Sequence, residues 1–234
     1  MEIKNLSKKE ITFSLYGLLL GDGSYRNGKI QCRHTNKQKF YVEWLEKICK
    51  DNNILFKTTY DFTLKTTFGE QKYSSIGIKV PNRYYFENEY DFYKNRKKIV
   101  LEYVLKNITE LGLLFWFLDD GQWHVSKKGT KTKRFGYLNT QSFTYEENKN
   151  IVIMFKERFD IDLKIHTDNS GFEKQKGKVY YRIYFNATAF RKFYDIVRPY
   201  LNEIPKEFYY KFDMKYEPNR MKNSLEFSKK YNLV

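Results

Sequence analysis

Two short apolar runs in this chain end in the same way. One is Leu15-Tyr16-Gly17-Leu18-Leu19-Leu20-Gly21-Asp22-Gly23, the other Leu113-Leu114-Phe115-Trp116-Phe117-Leu118-Asp119-Asp120-Gly121. Each pattern predicts a buried helix, then a carboxylate, then a glycine able to take the left-handed C-terminal conformation. Gly17 and Gly21 stand one turn apart, so a second helix backbone can come close there. The sequence after each run is also parallel. After Gly23 a strand is predicted at 30–35 and a helix at 37–51. After Gly121 a polar stretch leads to a strand at 134–141 and a helix at 145–159, opened by the capping box Thr144-Tyr145-Glu146-Glu147. Strand pairs follow at 55–68 with 72–80 and at 162–168 with 178–185, then aromatic-rich closing helices at 83–94 and 188–198.

The distance between matched features grows along the chain: Asp22 to Asp120 is 98 residues, Ile54 to Ile161 is 107, and Lys97 to Lys211 is 114. A duplicated α-β-β-α-β-β-α unit with insertions in the second copy explains that drift. The predicted class is α+β, with a first unit over 1–102 and a second over 103–234.

Strand alternation gives each unit two unlike faces. Phe56, Tyr60, Phe62, Leu64 and Phe68 fall on one side; Lys57, Thr59, Asp61, Thr63, Lys65 and Thr67 fall on the other. Ile76, Ile78 and Val80 point inward, Ser75 and Lys79 outward. In the second unit Lys164, His166 and Asp168 oppose Leu163 and Ile165, while Tyr180, Arg182 and Tyr184 oppose Val179, Tyr181, Ile183 and Phe185. Each sheet therefore has a helix-covered side and a polar, mostly basic side.

Charge decides what that basic side meets. Lys and Arg number 43 against 28 Asp and Glu, a net charge of +15. With 41% hydrophobic and 19% aromatic residues the chain builds a core and is no disordered basic tail. Such a charge predicts a polyanionic partner, nucleic acid above all, and a two-stranded ribbon fits the DNA major groove. The candidate contacts are Gln31, Arg33, Lys57, Thr59, Asp61, Thr63, Lys65, Lys79, Lys164, His166, Tyr180, Arg182 and Tyr184. The basic run 127–134 is expected to be a loop touching phosphates. No apolar run reaches the twenty or so residues of a membrane span, and residues 1–14 lack a signal-peptide pattern. Cys32 and Cys49 form neither a disulfide framework nor a zinc motif. A reducing compartment, bacterial or archaeal cytoplasm or an organelle matrix, is expected. His34, His124 and His166 are too dispersed in sequence to suggest a metal triad.

Asp22 and Asp120 carry the chemistry. An aspartate at the negative end of a helix needs compensation. If the two apolar helices lie side by side, the carboxylates meet, and divalent metal between them offsets their repulsion and clamps the attacking and leaving oxygens of a phosphodiester. Mg²⁺ suits such all-oxygen ligation.

The run from Leu15 to Gly23 resembles the LAGLIDADG signature, with Leu, Gly, Leu, Asp and Gly in register, and the run from Leu113 to Gly121 is a more divergent second copy. Leu138-Asn139-Thr140-Gln141-Ser142-Phe143-Thr144 is similar to the segment after the second motif in single-chain, intron-encoded homing endonucleases. The resemblance spans roughly 11 to 212. It implies a pseudo-twofold saddle of two antiparallel sheets with the motif helices at the subdomain interface. It implies a monomer cutting both strands of a long double-stranded DNA site, leaving short 3′ overhangs. Asp22 and Asp120 would bind Mg²⁺, with Mn²⁺ expected to substitute and the backbone carbonyls of Gly21 and Asp119 as further ligands. A basic residue from each half would sit near the scissile phosphates. Lys97 and Lys211 match in order and spacing, with Lys98 as an alternative to Lys97. Phe115 and Asp119 stand where the signature has Gly and Ala, so symmetric helix packing is not expected. An RNA-binding intron maturase on the same fold and a non-cleaving DNA-binding regulator remain as alternatives.

Overall fold

The computed structural model describes residues 3–67, 69–86, 92–95, 97–128, 131–168 and 179–212, with backbone alone at 126–128, 131–133 and 168. Helix α1 spans Lys8–Leu20, where Ser7 and Glu10 form a capping box. Strands β1 (Ser24–Arg26) and β2 (Lys29–Thr35), helix α2 (Lys39–Asp51), and strands β3 (Phe56–Thr66) and β4 (Gly69–Lys79) complete the first unit. The second unit repeats the order with α4 (Glu110–Asp120), β7 (Gly121–Lys128), β8 (Lys131–Leu138), α5 (Tyr145–Phe159), β9 (Lys164–Asp168), β10 (Tyr180–Asn186) and α6 (Ala187–Val197). Between the units lie the short ribbon of β5 (Tyr93–Lys94) and β6 (Lys97–Lys98) and the helix α3 (Glu102–Asn107). The two four-stranded sheets have the same order, β1-β2-β4-β3 and β7-β8-β10-β9. The duplicated plan read from spacing is therefore present in the backbone. No helix among the described residues is long and apolar enough to cross a membrane.

The units meet where α1 crosses α4. A Cβ on Gly17 would stand 1.8 Å from the Gly112 carbonyl oxygen, and one on Gly112 would stand 3.1 Å from the Ser14 carbonyl oxygen. The close approach thus uses one glycine from each helix, but not at matching positions. Gly112 lies a turn before Phe115, which stands at the position matching Gly17 and packs edge-on against Trp44 at 5.7 Å. A 2.7 Å bond between the Ser14 and Thr109 hydroxyls fixes the crossing. Around it Tyr16, Leu18, Leu114 and Trp116 are wholly buried.

Several expectations change. The closing glycines are not left-handed: the positive-φ glycines among the described residues are Gly28 and Gly69. They are required by space instead. A Cβ on Gly23 would lie 2.5 Å from the Leu18 carbonyl oxygen, and one on Gly121 2.3 Å from the Phe117 ring. The helix expected at 83–94 is absent from the described part; Arg83–Phe86 is a 3-10 turn and Tyr93–Lys94 a strand. Its aromatics bury Phe86 and Phe92 but leave Tyr84 exposed, so they pack without a continuous helical stripe. The strand expected to reach Gln141 stops at Leu138. There Asn148, buried in α5, turns the chain by donating to the carbonyls of Thr140, Phe143 and Thr144. The run 127–134 is a hairpin rather than a loop, since Lys128 pairs with Lys131; residues 129–130 lie outside the described residues.

The largest correction is in β3. The register slips between Thr59, paired with Ser75, and Phe62, paired with Tyr73. One extra residue on β3 is a bulge, and Asp61 takes a positive φ of 57° there. Directly paired residues share a face, so faces swap across the bulge. Phe62 and Leu64 join Lys57 and Thr59 on the open face, while Thr63 and Lys65 turn to the other. Asp61 reaches back to Asn36 and to Lys39 at 3.0 Å. Asp61, Thr63 and Lys65 therefore do not share the face of Lys57 and Thr59; Phe68 lies outside the described residues.

Gly17→Ala places a methyl inside the Gly112 peptide. It is expected to cost about 3 kcal/mol or more of unfolding free energy, read from denaturant midpoints, whereas a loss below about 1 kcal/mol would contradict the crossing.

Candidate active site

Helix α1 delivers Asp22 and helix α4 delivers Asp119 and Asp120 to one point. Asp22 donates its backbone N–H to Asp119 Oδ2 at 3.0 Å. A Cβ on Gly21 would collide with the same carboxylate at 2.3 Å, so only glycine admits Asp119 there. Three carboxylates thus gather where two helix C-termini, each a negative dipole end, converge. Burial pushes the Asp119 carboxyl well above the usual range, with Asp22 and Asp120 adding to the effect. Burial and Asp22 push Asp120 up to about 7, against the opposing pull of Lys98 and Lys211.

Two lysines answer this charge. Lys98 on β6 donates to the Gly21 carbonyl. Lys211, 6% exposed in the 3-10 helix Lys206–Phe212, donates to the carbonyls of Gly121 at 2.9 Å and Asp119 at 3.4 Å. Each ammonium therefore caps the end of one motif helix. Burial lowers the pKa of both lysines, while the three aspartates hold them charged. Of the tandem lysines, the structure brings Lys98 to the carboxylates and leaves Lys97 exposed. Strand alternation in the ribbon makes the choice, and sequence spacing alone does not contain it.

The Lys98 strand is tied to the second unit. Glu147 of the α5 capping box accepts the Val100 N–H at 2.9 Å and the Thr144 N–H at 2.7 Å. On the other side Asn139 donates its N–H to the Asp120 carbonyl at 3.0 Å. The Leu138–Thr144 stretch thus positions Asp120 as well as α5.

Sequence spacing gives His34 no role, yet it lies beside the cluster. Its Nδ1 is 4.0 Å from Asp22 Oδ2, and a His34 nitrogen and one oxygen each from Asp22 and Asp119 all lie within 4.8 Å of one another. Alternation with buried Ile30 and Cys32 is the signal that points His34 inward. Burial lowers the His34 pKa, so the ring is held toward its neutral, ligand-competent form. Asp119 Oδ1 and His34 Nε2 are buried without a hydrogen-bond partner. These two buried, unpartnered polar atoms, set among carboxylates, fit a divalent cation.

The open sheet faces flank this centre. Gln31 and Lys57 are linked through Gly77 in one cross-strand row, and Arg33 and Thr59 through Ser75 in the next; Lys79 pairs with Lys29. In the second sheet Tyr184 pairs with Lys164 and Arg182 with His166, with Tyr180 further out. The same face carries Gln122, His124, Phe135 and Tyr137. Sequence reasoning missed these, because Phe135 and Tyr137 look like inward residues.

The family model described as the LAGLIDADG DNA endonuclease family matches residues 13–193. A probable intron-encoded endonuclease 1 of Wickerhamomyces canadensis is 30% identical over 211 residues, covering 85% of this chain and 86% of that protein. A probable intron-encoded DNA endonuclease 3 of Mycosarcoma maydis is 30% identical over 100 residues, 42% of this chain and 61% of that protein. The solved structure of the homing endonuclease I-WcaI bound to its DNA recognition sequence superposes with a TM-score of 0.66 at 25% identity, covering 90% of this chain and 88% of that one.

Lys211 makes no ion pair with Asp120 but pulls its carboxyl pKa down through space, an influence that can be measured. A double-mutant cycle of Lys211→Met and Asp120→Asn is expected to give a coupling of about 0.5–3 kcal/mol in unfolding free energy. Additive effects would mean that the ammonium does not compensate the carboxylate.

Proposed function

Since the chain belongs to the LAGLIDADG DNA endonuclease family, we propose that it is a homing endonuclease that cuts both strands of one long, specific DNA site and leaves short 3′ overhangs. Two subdomains, 1–102 and 103–234, each supply one lysine and one sheet; the first brings Asp22 and the second Asp119 and Asp120. The observation that carries this reading is the meeting of three carboxylates with two ammonium groups, buried Lys211 and half-buried Lys98, between two open sheet faces.

Asp22 and Asp120, with the carbonyls of Gly21 and Asp119, would hold Mg²⁺, and Mn²⁺ would substitute. When bound, the ion neutralises the carboxylates facing a phosphate and polarises the attacking and leaving oxygens. Asp22, whose side chain is 53% exposed, is open to an approaching phosphate. Lys98 and Lys211 place one ammonium beside each helix end, where charge develops on a scissile phosphate. Asp119 fixes the Asp22 backbone through its N–H, so the two carboxylate positions move as a unit. Gln31, Arg33, Lys57, Thr59 and Lys79 on one sheet, and Lys164, His166, Tyr180, Arg182 and Tyr184 on the other, bind the flanking duplex. One chain suffices, because both halves of the machinery are present in it.

Asp22→Asn and Asp120→Asn are each expected to abolish double-strand cleavage in Mg²⁺ while gel-shift affinity survives; wild-type cutting by either would falsify the assignment. Lys98→Met is expected to slow cleavage by about 10²-fold or more, and Lys97→Met by only a few-fold. The reverse ranking in single-turnover assays would move the role to Lys97. Lysine and arginine contacts with phosphate release counterions, so the log–log plot of affinity against salt should have a slope of about −5 or steeper. A flat plot would remove the basic faces from the interface.

A further inference from the structure

The two open sheet faces share one skeleton but differ in chemistry, row by row. In the first sheet the row across β1, β2, β4 and β3 is Ser24, Gln31, Gly77 and Lys57. In the second the corresponding row across β7, β8, β10 and β9 is Gln122, Tyr137, Tyr184 and Lys164. A glutamine lying over a glycine, with Gln31 Oε1 3.0 Å from where a Gly77 Cβ would be, is replaced by two tyrosines. One step further from the carboxylates, Arg26, Lys29 and Lys79 are replaced by His124, Phe135 and Asn186. Three adjacent basic side chains give way to two rings and an amide.

The rings of the second face brace one another. His166 stacks on Tyr184 at 4.3 Å and 10°, and His124 on Phe135 at 5.2 Å and 24°. The Arg182 guanidinium sits 3.8 Å above the Tyr137 ring, and Tyr137 packs against Tyr184 at 5.5 Å. Such a pavement loses little side-chain freedom when a partner docks. Paired bases hide their faces inside the stack. The one apolar group that the major groove offers is the thymine 5-methyl. In the matching rows the first face has Arg33, Gln31, Lys29 and Arg26, hydrogen-bond donors suited to purine acceptors, and its apolar Phe62, Leu64 and Tyr73 lie apart from those rows, beyond the bulge.

From this, and resting on the endonuclease reading above, we infer that the C-terminal sheet reads its half of the DNA site through thymine methyl groups pressed on Phe135, Tyr137 and Tyr184, while the N-terminal sheet reads its half by hydrogen bonds. The two half-sites then differ in how they respond to loss of methyl groups, although the sheets have the same topology.

The experiment starts with duplexes enriched from a randomised library by binding alone, without divalent metal. Uracil then replaces thymine in one half of the enriched site or in the other, and affinities are measured with the whole chain. Each methyl lost from the C-terminal half is expected to weaken binding about fourfold, and uracil in the other half to change it less than twofold. Phe135→Ala and Tyr184→Ala are expected to erase the uracil penalty, Tyr184→Phe to retain it, and Gln31→Ala in the first sheet to leave it unchanged. An equal penalty in both halves, or a penalty that persists in the ring variants, overturns the inference. Single strands binding as tightly as the duplex would mean that the rings stack on unpaired bases, and would overturn it too. If no duplex is enriched at all, the endonuclease reading itself fails; cleavage of enriched duplexes without a methyl effect sinks the inference alone.

Discussion

The structure depends on a steric constraint: α1 and α4 cross so closely that the Gly17 position has no room for a Cβ beside the Gly112 carbonyl. That contact has an electrostatic consequence. Parallel packing to a common end brings two helix C-termini together, and three carboxylates with them. No arrangement of apolar side chains relieves this repulsion. Lys98 and Lys211 relieve part of it from outside the helices, each donating to backbone carbonyls at a helix end. The rest appears as carboxyl groups whose affinity for protons is raised by burial and by one another. A folded chain that keeps such a cluster carries a destabilised site, held in place by the packing around it.

The supports for this cluster are not themselves symmetric. On one side the end of α1 is held by the Asp119 carboxylate, which accepts from the Asp22 N–H. On the other the end of α4 is held by the Asn139 N–H, which Asn148 and its turn fix in place. Lys98 arrives on a two-stranded ribbon tied to α5 through Glu147, and Lys211 arrives on a 3-10 helix that packs Phe212 against Phe117 at 5.3 Å. Duplication supplied the helices and sheets. The groups that make the centre workable were fitted separately in each half, as different backbone solutions to one charge problem.

That history explains which parts were legible. The Asp-Gly endings, the growing offset and the α5 capping box are local patterns, and each survives in the backbone. The approach of the two motif ends was legible because an apolar helix ending in a carboxylate has few places to go, but the carboxylate that touches the Asp22 end is that of Asp119. Gly112 was not: its role appears only once the partner helix is placed against it, with the Gly17 position at its carbonyl. The choice between Lys97 and Lys98 needed the ribbon's alternation, which a two-residue strand cannot announce. The bulge at Asp61 was hidden for another reason. The sequence of β3 alternates without a break, and only the pairing with β4 shows that two residues of one strand face one of the other. Hydropathy periodicity therefore assigned Thr63 and Lys65 to the wrong face while describing the residues before the bulge correctly.

The same reasoning shows why the open faces could diverge while the scaffold stayed fixed. Backbone ladders and the helix-covered side bind both sheets to one order and nearly one register, and Ile78 and Phe185 fill matching core positions. A residue on the open face answers to no such demand. Gly77 and Tyr184 therefore occupy the same row position without disturbing either ladder. The bulge belongs to the first sheet, where it brings Phe62 against Arg33 at 5.8 Å and groups Phe62 and Leu64 with Tyr73 on the open face beyond the polar rows. In the second sheet the rings come instead from regular alternation along β8 and β10. The fold thus places its chemistry under two separate constraints: a shared centre in which every charge must be answered locally, and two surfaces that need only remain compatible with the strands beneath them.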